Sequence, residues 1–178
     1  MNRRRVLAAL GGLGMTVGGG YVALNGLGPG LGFGFGTDDV AVTVDTIDAP
    51  GSEAGQQRLP VPGRPTLVDL FATWCVPCEA QMRSLRAVHD DFGGRVAFVS
   101  VTNERVGGGL TLDDVREWWI DHDGDWTVGH DPESRLMSEL GAGGLPFLAL
   151  ADDSGEIVWT HRGVASVETL RAELEAVV

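Results

Sequence analysis

The stretch "PTLVDLFATWCVPCEAQM", residues 65–82, contains the only two cysteines of the chain, Cys75 and Cys78. It opens with a short apolar run, as expected for a strand that is buried on both faces of a sheet. After the cysteines, apolar residues recur at the spacing of an amphipathic helix until the glycine pair at 93–94. The recurring residues are Met82, Leu85, Val88 and Phe92. The sequence therefore predicts a buried strand that leads directly into a helix, with the cysteine pair at the junction.

A C-x-x-C pair is compatible with a zinc site, a structural disulfide or a dithiol that cycles between two redox states. A closed zinc site needs four ligands, and the chain has no second cysteine pair and no H-x3-5-H spacing among its four histidines. A structural disulfide across so short a loop would stabilise the fold little through chain entropy. The position at a helix start therefore favours the cycling dithiol.

The helix start also predicts which sulfur reacts. Unpaired backbone N–H groups and the helix dipole favour an anion there. Such a position lowers a cysteine pKa from about 8.5 toward about 7 or below, so that thiolate is available at neutral pH. Cys75 is predicted to be the exposed nucleophile, and Cys78, one turn further along and facing inward, is predicted to be the resolving thiol. Glu79 adds negative charge beside the pair and is expected to oppose this effect somewhat.

The segment "LVDLFATWCVPC", residues 67–78, resembles the active-site segment of thioredoxin-like proteins, and most of all the TlpA/ResA branch of extracytoplasmic thiol-disulfide oxidoreductases. The resemblance extends from about residue 40 to 178, through a later G-x-P before a strand and a final hairpin and helix. It implies an α/β thioredoxin fold, with a central mixed sheet flanked by helices. It also implies a membrane-tethered domain that reduces disulfides of apocytochrome c or other exported proteins, with no cofactor and no metal.

The resemblance assigns roles to three residues next to the pair. Trp74 would cover the dithiol, and Pro77 would shape the helix start and help to keep the reduction potential low. Asp69, six residues before Cys75, matches the buried acid that accepts a proton from the resolving cysteine in many thioredoxins. A desolvated carboxyl group there has a raised pKa and exchanges protons near neutrality. The alternative is an aspartate that faces outward from its strand.

A later motif completes the implied site. Pro146, in "GGLPFLAL", matches the cis-proline of the family, whose neighbouring backbone pairs with substrate. The residue before it is Leu145, where the family commonly has threonine or another small or β-branched residue. This difference is expected to affect which substrates bind.

The remaining strands are predicted from alternating or continuous apolar runs. The segment "VAVTVDTI", residues 40–47, alternates as an edge strand does, and "APGSEAGQQ", residues 49–57, is predicted to be a turn. A second buried strand is predicted at 95–102, and a hairpin at 146–163.

Three further helices have start signals. Thr111 and Asp114 predict a capping box, and Asp131 followed by Pro132 predicts an N-cap and first-turn proline. A last amphipathic helix is predicted from Val167 onward. The alternation of strands and helices indicates an α/β class with a mixed sheet.

The charge of the chain excludes one class of partner. Acidic residues outnumber basic residues by 25 to 13, and every basic residue is arginine. This surface repels phosphates, so binding of nucleic acid through a basic patch is disfavoured. Because salt screens self-repulsion, acidity without lysine predicts a protein from an extreme halophile, and a biased high-GC genome is the alternative.

Residues 1–36 differ from the domain predicted at 37–178. Arg3, Arg4 and Arg5 precede an uncharged, glycine-rich run, which resembles a twin-arginine export signal followed by a linker. The run from Val6 to Leu27 reaches the length of a membrane-spanning helix, and no A-x-A cleavage site follows. We therefore expect a retained anchor with the domain outside the membrane, and secretion after cleavage is the alternative.

The predicted activity needs partners that the chain does not contain. These are protein disulfides as substrates and a membrane electron donor that reduces the pair again, while the domain itself is expected to be a monomer. In the reverse direction the same residues would make an oxidase. The direction depends on the reduction potential of the cysteine pair, because a difference of about 30 mV between two dithiols is worth about 1.4 kcal/mol. A peroxiredoxin would need threonine where Ala72 stands. A non-catalytic metal-delivery module would need a wider cysteine spacing and a nearby histidine, and it remains as an alternative.

Overall fold

The computed structural model of the chain describes residues 41–178. Within that range the chain forms seven strands and four helices. In chain order they are β1 (Val42–Thr46), β2 (Gly55–Leu59), β3 (Thr66–Phe71), α1 (Val76–Phe92), β4 (Ala97–Thr102), α2 (Leu112–Asp121), β5 (Thr127–His130), α3 (Arg135–Glu139), β6 (Phe147–Ala151), β7 (Ile157–Arg162) and α4 (Val167–Glu175).

The strands form one mixed sheet in the order β2-β1-β5-β4-β3-β6-β7. β3 pairs with β4, and β4 with β5, in parallel, whereas the other neighbouring pairs are antiparallel. β3 and β4 are buried along their whole length, as their continuous apolar runs predict. The predicted α/β class with a central mixed sheet is confirmed.

Alternate residues of the central strands enter two different cores. Leu67 and Phe71 of β3 pack with α1, α2 and α4 on one side, which we call the cysteine face. Val68 and Leu70 pack on the other side with Leu136 of α3, and we call this side the α3 face. The period of two in a strand separates the two sets. The side chain of Asp69 points to the same side of the sheet as those of Leu67 and Phe71, so its carboxyl group lies on the cysteine face.

Two helix signals in the sequence are confirmed. α1 ends at Phe92, directly before the glycine pair. At α2 the Thr111 side chain accepts from the Asp114 backbone N–H at 3.1 Å, and the Asp114 carboxylate accepts from the Thr111 N–H at 2.7 Å. This capping box satisfies two of the backbone N–H donors that the start of a helix leaves unpaired.

The prediction of β1 as an edge strand is wrong. β1 lies between β2 and β5, and β2 takes the edge instead. Residues 55–57, expected to be part of a turn, begin β2 and pair with residues 44–46 of β1. The backbone ladder holds this strand although its side chains are mostly exposed and polar, so a hydrophobic pattern does not reveal it.

The predicted start of the third helix is also wrong. α3 begins at Arg135 rather than after Asp131, because residues 131–134 form a turn in which the Ser134 N–H donates to the Asp131 carbonyl at 2.9 Å. The Asp131 carboxylate accepts instead from the Leu136 N–H at 2.8 Å. Asp131 therefore caps the helix across the turn.

The predicted signal or anchor at 1–36, and its boundary with the domain, lie outside the described residues. Of the helices within 41–178, none has the length and hydropathy that a membrane crossing requires.

Candidate active site

Cys75 and Cys78 form a disulfide at the start of α1, with their Cα atoms 5.2 Å apart. Cys75 is the N-cap residue of the helix, and Pro77 lies in its first turn. The Cys75 N–H donates to the Ala72 carbonyl at 3.1 Å, and the Cys78 N–H donates to the Cys75 carbonyl at 2.9 Å. The predicted junction of buried strand, dithiol and helix is therefore present.

In this disulfide state the prediction of Cys75 as an exposed sulfur is wrong. Cys75 is only 4% exposed and Cys78 is 1% exposed. The bond between the sulfurs holds the Cys75 side chain against Cys78, which faces the core under α1. Cys75 is still the more accessible of the two.

The exposed groups of the site are the neighbours of Cys75. The Trp74 side chain is 72% exposed and Val76 is 70% exposed, and Pro77 is also exposed. Trp74 is thus a solvent-facing ring beside the disulfide. These neighbours give the site an apolar surface at the point where a partner would approach.

Asp69 is buried beneath the site, so the alternative of an outward-facing aspartate is wrong. Burial raises the pKa of Asp69 from 3.8 to about 7, and a hydrogen bond from Ser100 opposes this rise. Ser100 Oγ donates to Asp69 Oδ2 at 2.9 Å, while Asp69 Oδ1 has no partner among the described residues. The carboxyl group can therefore change its protonation state near neutral pH.

The Leu145–Pro146 peptide bond is cis, as the resemblance implies. β6 begins one residue later, and Phe147 pairs with Leu70 of β3. This register places Pro146 at the end of β3 from which the chain continues to Cys75. The Pro146 carbonyl accepts from the Gly163 N–H at 2.9 Å, and the half-buried Leu145 side chain packs against both cores.

Sequence reasoning missed Glu104, which anchors the loop before Cys75. Its carboxylate accepts from the Thr73 N–H at 2.7 Å, from Thr73 Oγ1 at 2.8 Å and from Thr102 Oγ1 at 3.1 Å. Its backbone carbonyl accepts from His130 Nε2 at 2.7 Å. β3 and β4 are parallel, so the residues that follow them meet at one edge of the sheet. That rule is the signal that points to Thr73 and Glu104 as neighbours.

Gln81 is a second residue that the sequence did not reveal. It is 0% exposed on α1, one turn after Cys78, and its Oε1 accepts from the Ala165 N–H at 2.7 Å. Its Nε2 group has no partner among the described residues. Residues 41–178 contain no group of three or more His, Cys, Asp or Glu side chains that could hold a metal ion.

Comparison with known proteins gives the family. A family model described as Redoxin matches residues 40–178. The chain belongs to the Redoxin family. The thiol:disulfide interchange protein DsbE of Tatumella citrea is 28% identical over 134 residues, which are 74% of this chain and 67% of that protein.

One further relative and one solved structure are also similar to this Redoxin domain. A thiol:disulfide interchange protein TxlA homolog of Synechocystis sp. is 25% identical over 116 residues. The matched segment is 65% of this chain and only 51% of that relative. A secreted Mycobacterium tuberculosis disulfide oxidoreductase gives a TM-score of 0.63 at 15% identity, with 76% of this chain and 95% of that chain covered. The domain is thus a thiol-disulfide oxidoreductase domain of the thioredoxin superfamily, which confirms the fold and the general activity predicted from the sequence.

Proposed function

We propose that the domain reduces disulfide bonds of exported proteins through Cys75 and Cys78. The observation that supports this most directly is the position of the pair, at the start of α1 and shortly after a buried strand. The helix start favours the Cys75 thiolate once the disulfide is opened. The exposed apolar groups beside it are suited to an unfolded or extended polypeptide.

The reaction consists of two exchanges. The Cys75 thiolate attacks one sulfur of a substrate disulfide, so a mixed disulfide forms and the other substrate sulfur leaves as a thiolate. Cys78 then loses its proton and attacks the Cys75 sulfur, which releases the second substrate thiol. Two electrons pass to the substrate, and Cys75 and Cys78 remain bonded.

Asp69 is the proposed acceptor of the Cys78 proton. Its carboxyl group lies on the face of β3 against which α1 packs, and its pKa of about 7 makes both protonation states available at neutral pH. The proton then passes to the substrate thiolate or to solvent.

Substrate is proposed to bind between Trp74 and the cis-proline segment. The Pro146 carbonyl is already bonded to Gly163, which leaves the backbone of Leu145 to pair with an extended substrate. The larger Leu145 side chain narrows this position compared with the threonine that is common in the family. Pro77 fixes the backbone of the first helical turn next to the sulfurs.

The cellular setting is proposed from the sequence and the relatives. One similar solved structure is described as that of a secreted disulfide oxidoreductase, and one relative is named a thiol:disulfide interchange protein. We propose a monomeric domain outside the cytoplasmic membrane, exported by the twin-arginine system and held by the segment within residues 1–36. A membrane electron donor reduces the pair again, and apocytochrome c is one candidate substrate.

Single-cysteine variants test the activity and the order of attack. Cys75→Ser is expected to abolish reduction of insulin disulfides in high salt, because the nucleophile is lost. Cys78→Ser is expected to accumulate a mixed disulfide with the substrate, because no thiol resolves it. Full insulin reduction by Cys75→Ser, or a mixed disulfide formed through Cys78, would contradict the proposal.

The reduction potential of the pair tests the direction. Equilibration with dithiothreitol or glutathione is expected to give a value near that of thioredoxin, about −270 mV. A value near −120 mV would instead support a disulfide-forming oxidase.

A further inference from the structure

We infer that Ser100 and Trp126 are positioning residues that hold one oxygen of the Asp69 carboxyl group and leave the other, Oδ1, to exchange a proton with the cysteine pair. Neither residue is part of the active-site motif. The inference rests on the proposed role of Asp69, and it names the groups that control that role.

When the Asp69 carboxyl group is ionised, the hydrogen bonds among the three residues have only one possible direction. Trp126 Nε1 can only donate, and it lies 3.0 Å from Ser100 Oγ. Ser100 Oγ therefore accepts from Trp126, and its single hydrogen is directed at Asp69 Oδ2, 2.9 Å away. The chain of donors runs from Trp126 through Ser100 to Asp69, and each of the three residues is buried.

This chain distinguishes the two oxygens of the carboxyl group. Oδ2 accepts the serine hydrogen, so a second hydrogen is disfavoured on that atom. Oδ1 is buried and has no partner among the described residues. An unpaired carboxylate oxygen is costly in such a place, and a proton bound to Oδ1 removes that charge. The acid proton is thus expected on Oδ1.

Among the residues that the structure describes, no charged group near Asp69 compensates for its charge. Its neighbour on β4 is Ser100, and its neighbour on β6 is Leu148. Across the cysteine face, the titratable groups of α1 are Cys75, Cys78 and the partly buried His89, whose pKa is lowered by desolvation. α2 and α4 face the same core with apolar side chains, of which Val115, Trp119, Leu170 and Leu174 are buried. Within residues 41–178, the Ser100 hydroxyl is the group whose hydrogen bond lowers the pKa of Asp69.

The second exchange of the proposed reaction can be measured with an aromatic disulfide, DTNB. The reduced protein attacks DTNB through Cys75 and releases one thionitrobenzoate, and Cys78 then releases the second. The rate of the second release is expected to rise with pH around the titration midpoint of the Asp69 carboxyl group. Asp69→Asn should remove this inflection, which assigns it.

Ser100→Ala is expected to move the midpoint of this profile to higher pH by about one unit, because the carboxylate loses its hydrogen bond. The matched control is Ser52→Ala, which removes another buried hydroxyl, bonded to the backbone of Val128 at 3.2 and 3.3 Å and not to Asp69, Ser100 or Trp126. Ser52→Ala should leave the midpoint unchanged. An unchanged midpoint in folded Ser100→Ala, or an equal shift in Ser52→Ala, would overturn the inference.

If Ser100→Ala does not fold, Trp126→Phe provides the test, because it keeps the Ser100 hydroxyl and removes the indole N–H that directs it. A smaller upward shift of the midpoint is expected, and no shift overturns the role of Trp126. Circular dichroism establishes folding in each case. Failure of the wild-type protein to reduce insulin would count against the proposed function alone, because the DTNB profile does not depend on a protein substrate.

Discussion

The cysteine face and the α3 face are built from the same strands, yet they differ in how their polar groups are paired. Three buried side-chain nitrogen or oxygen atoms of the described residues have no partner, and they belong to Asp69, Gln81 and Trp118, which are all on the cysteine side. On the α3 side the buried Thr66 hydroxyl is fully paired, with the Val61 N–H at 2.9 Å and the Arg64 carbonyl at 3.0 Å. Unpaired buried groups are uncommon in proteins. The α3 face thus serves stability, whereas the cysteine face gives up some stability where the chemistry occurs.

Asp69→Asn should show the largest effect. The substitution is expected to raise the stability of the protein above neutral pH and to lower its activity. The folded-state pKa of about 7 lies above the ordinary value of 3.8, so the folded protein keeps a proton that the unfolded chain releases. Wild-type stability therefore falls as pH rises from about 4 to about 7. At pH 8 the asparagine variant is expected to be more stable by about 4 kcal/mol, while near pH 4 the two proteins should be similar.

Urea unfolding of the oxidised proteins at pH 4, 6 and 8 measures this difference. The variant should also lose its pH-dependent resolution of mixed disulfides, by tenfold or more at neutral pH, as is typical for loss of a general base. A stability difference that is constant over the pH range would show that burial of the carboxyl group is not the cause.

Val68→Ala tests the other face at the adjacent residue. Val68 is buried in the α3-face core, so the loss of two methyl groups should lower the free energy of unfolding by about 2 kcal/mol. Because the side chain points away from the cysteines, the DTNB profile of the folded variant should be unchanged. A shifted profile would mean that the two faces are not independent.

Glu104→Gln should give the smallest change in stability, about 1 kcal/mol, because the amide keeps only part of the bonding to Thr73 and Thr102. The loop before Cys75 is then held less firmly, and we expect dithiothreitol to reduce the disulfide several-fold faster than in the wild-type protein. Glu139→Gln, which changes an exposed glutamate of α3, is the matched control. Equal reduction rates in wild type and Glu104→Gln would show that this anchor does not limit access to the sulfurs.

The sequence predicts best where local pattern and tertiary structure agree. The β3 and α1 segments have continuous apolar residues and helical spacing, so the junction that holds Cys75 follows from the sequence alone. The burial of Asp69 is predictable for the same reason, because a strand with apolar neighbours on both sides leaves no exposed direction. Pro146 follows from the resemblance and from its position before an apolar strand.

Other features depend on contacts between distant segments. β2 is held by its ladder with β1, and its exposed glutamines give no apolar pattern. Glu104 bonds to Thr73 across the parallel register of β3 and β4, and that register is fixed only when the sheet forms. Trp126 has the appearance of a simple core residue until its N–H is seen to reach Ser100. Side-chain partners of this kind cannot be predicted from spacing in one sequence.

The order of strands in the sheet also affects how the protein is made. β3, which leads to the cysteines, lies between β4 and β6, and β6 begins only at Phe147. During synthesis from the N-terminus, Cys75 and Cys78 emerge well before the strand that completes their sheet. Pairings between such distant segments form slowly, because a long loop must first close. The nascent chain therefore presents two free thiols before the core around Asp69 and the cysteines is complete, because the last quarter of the domain has not yet been synthesised.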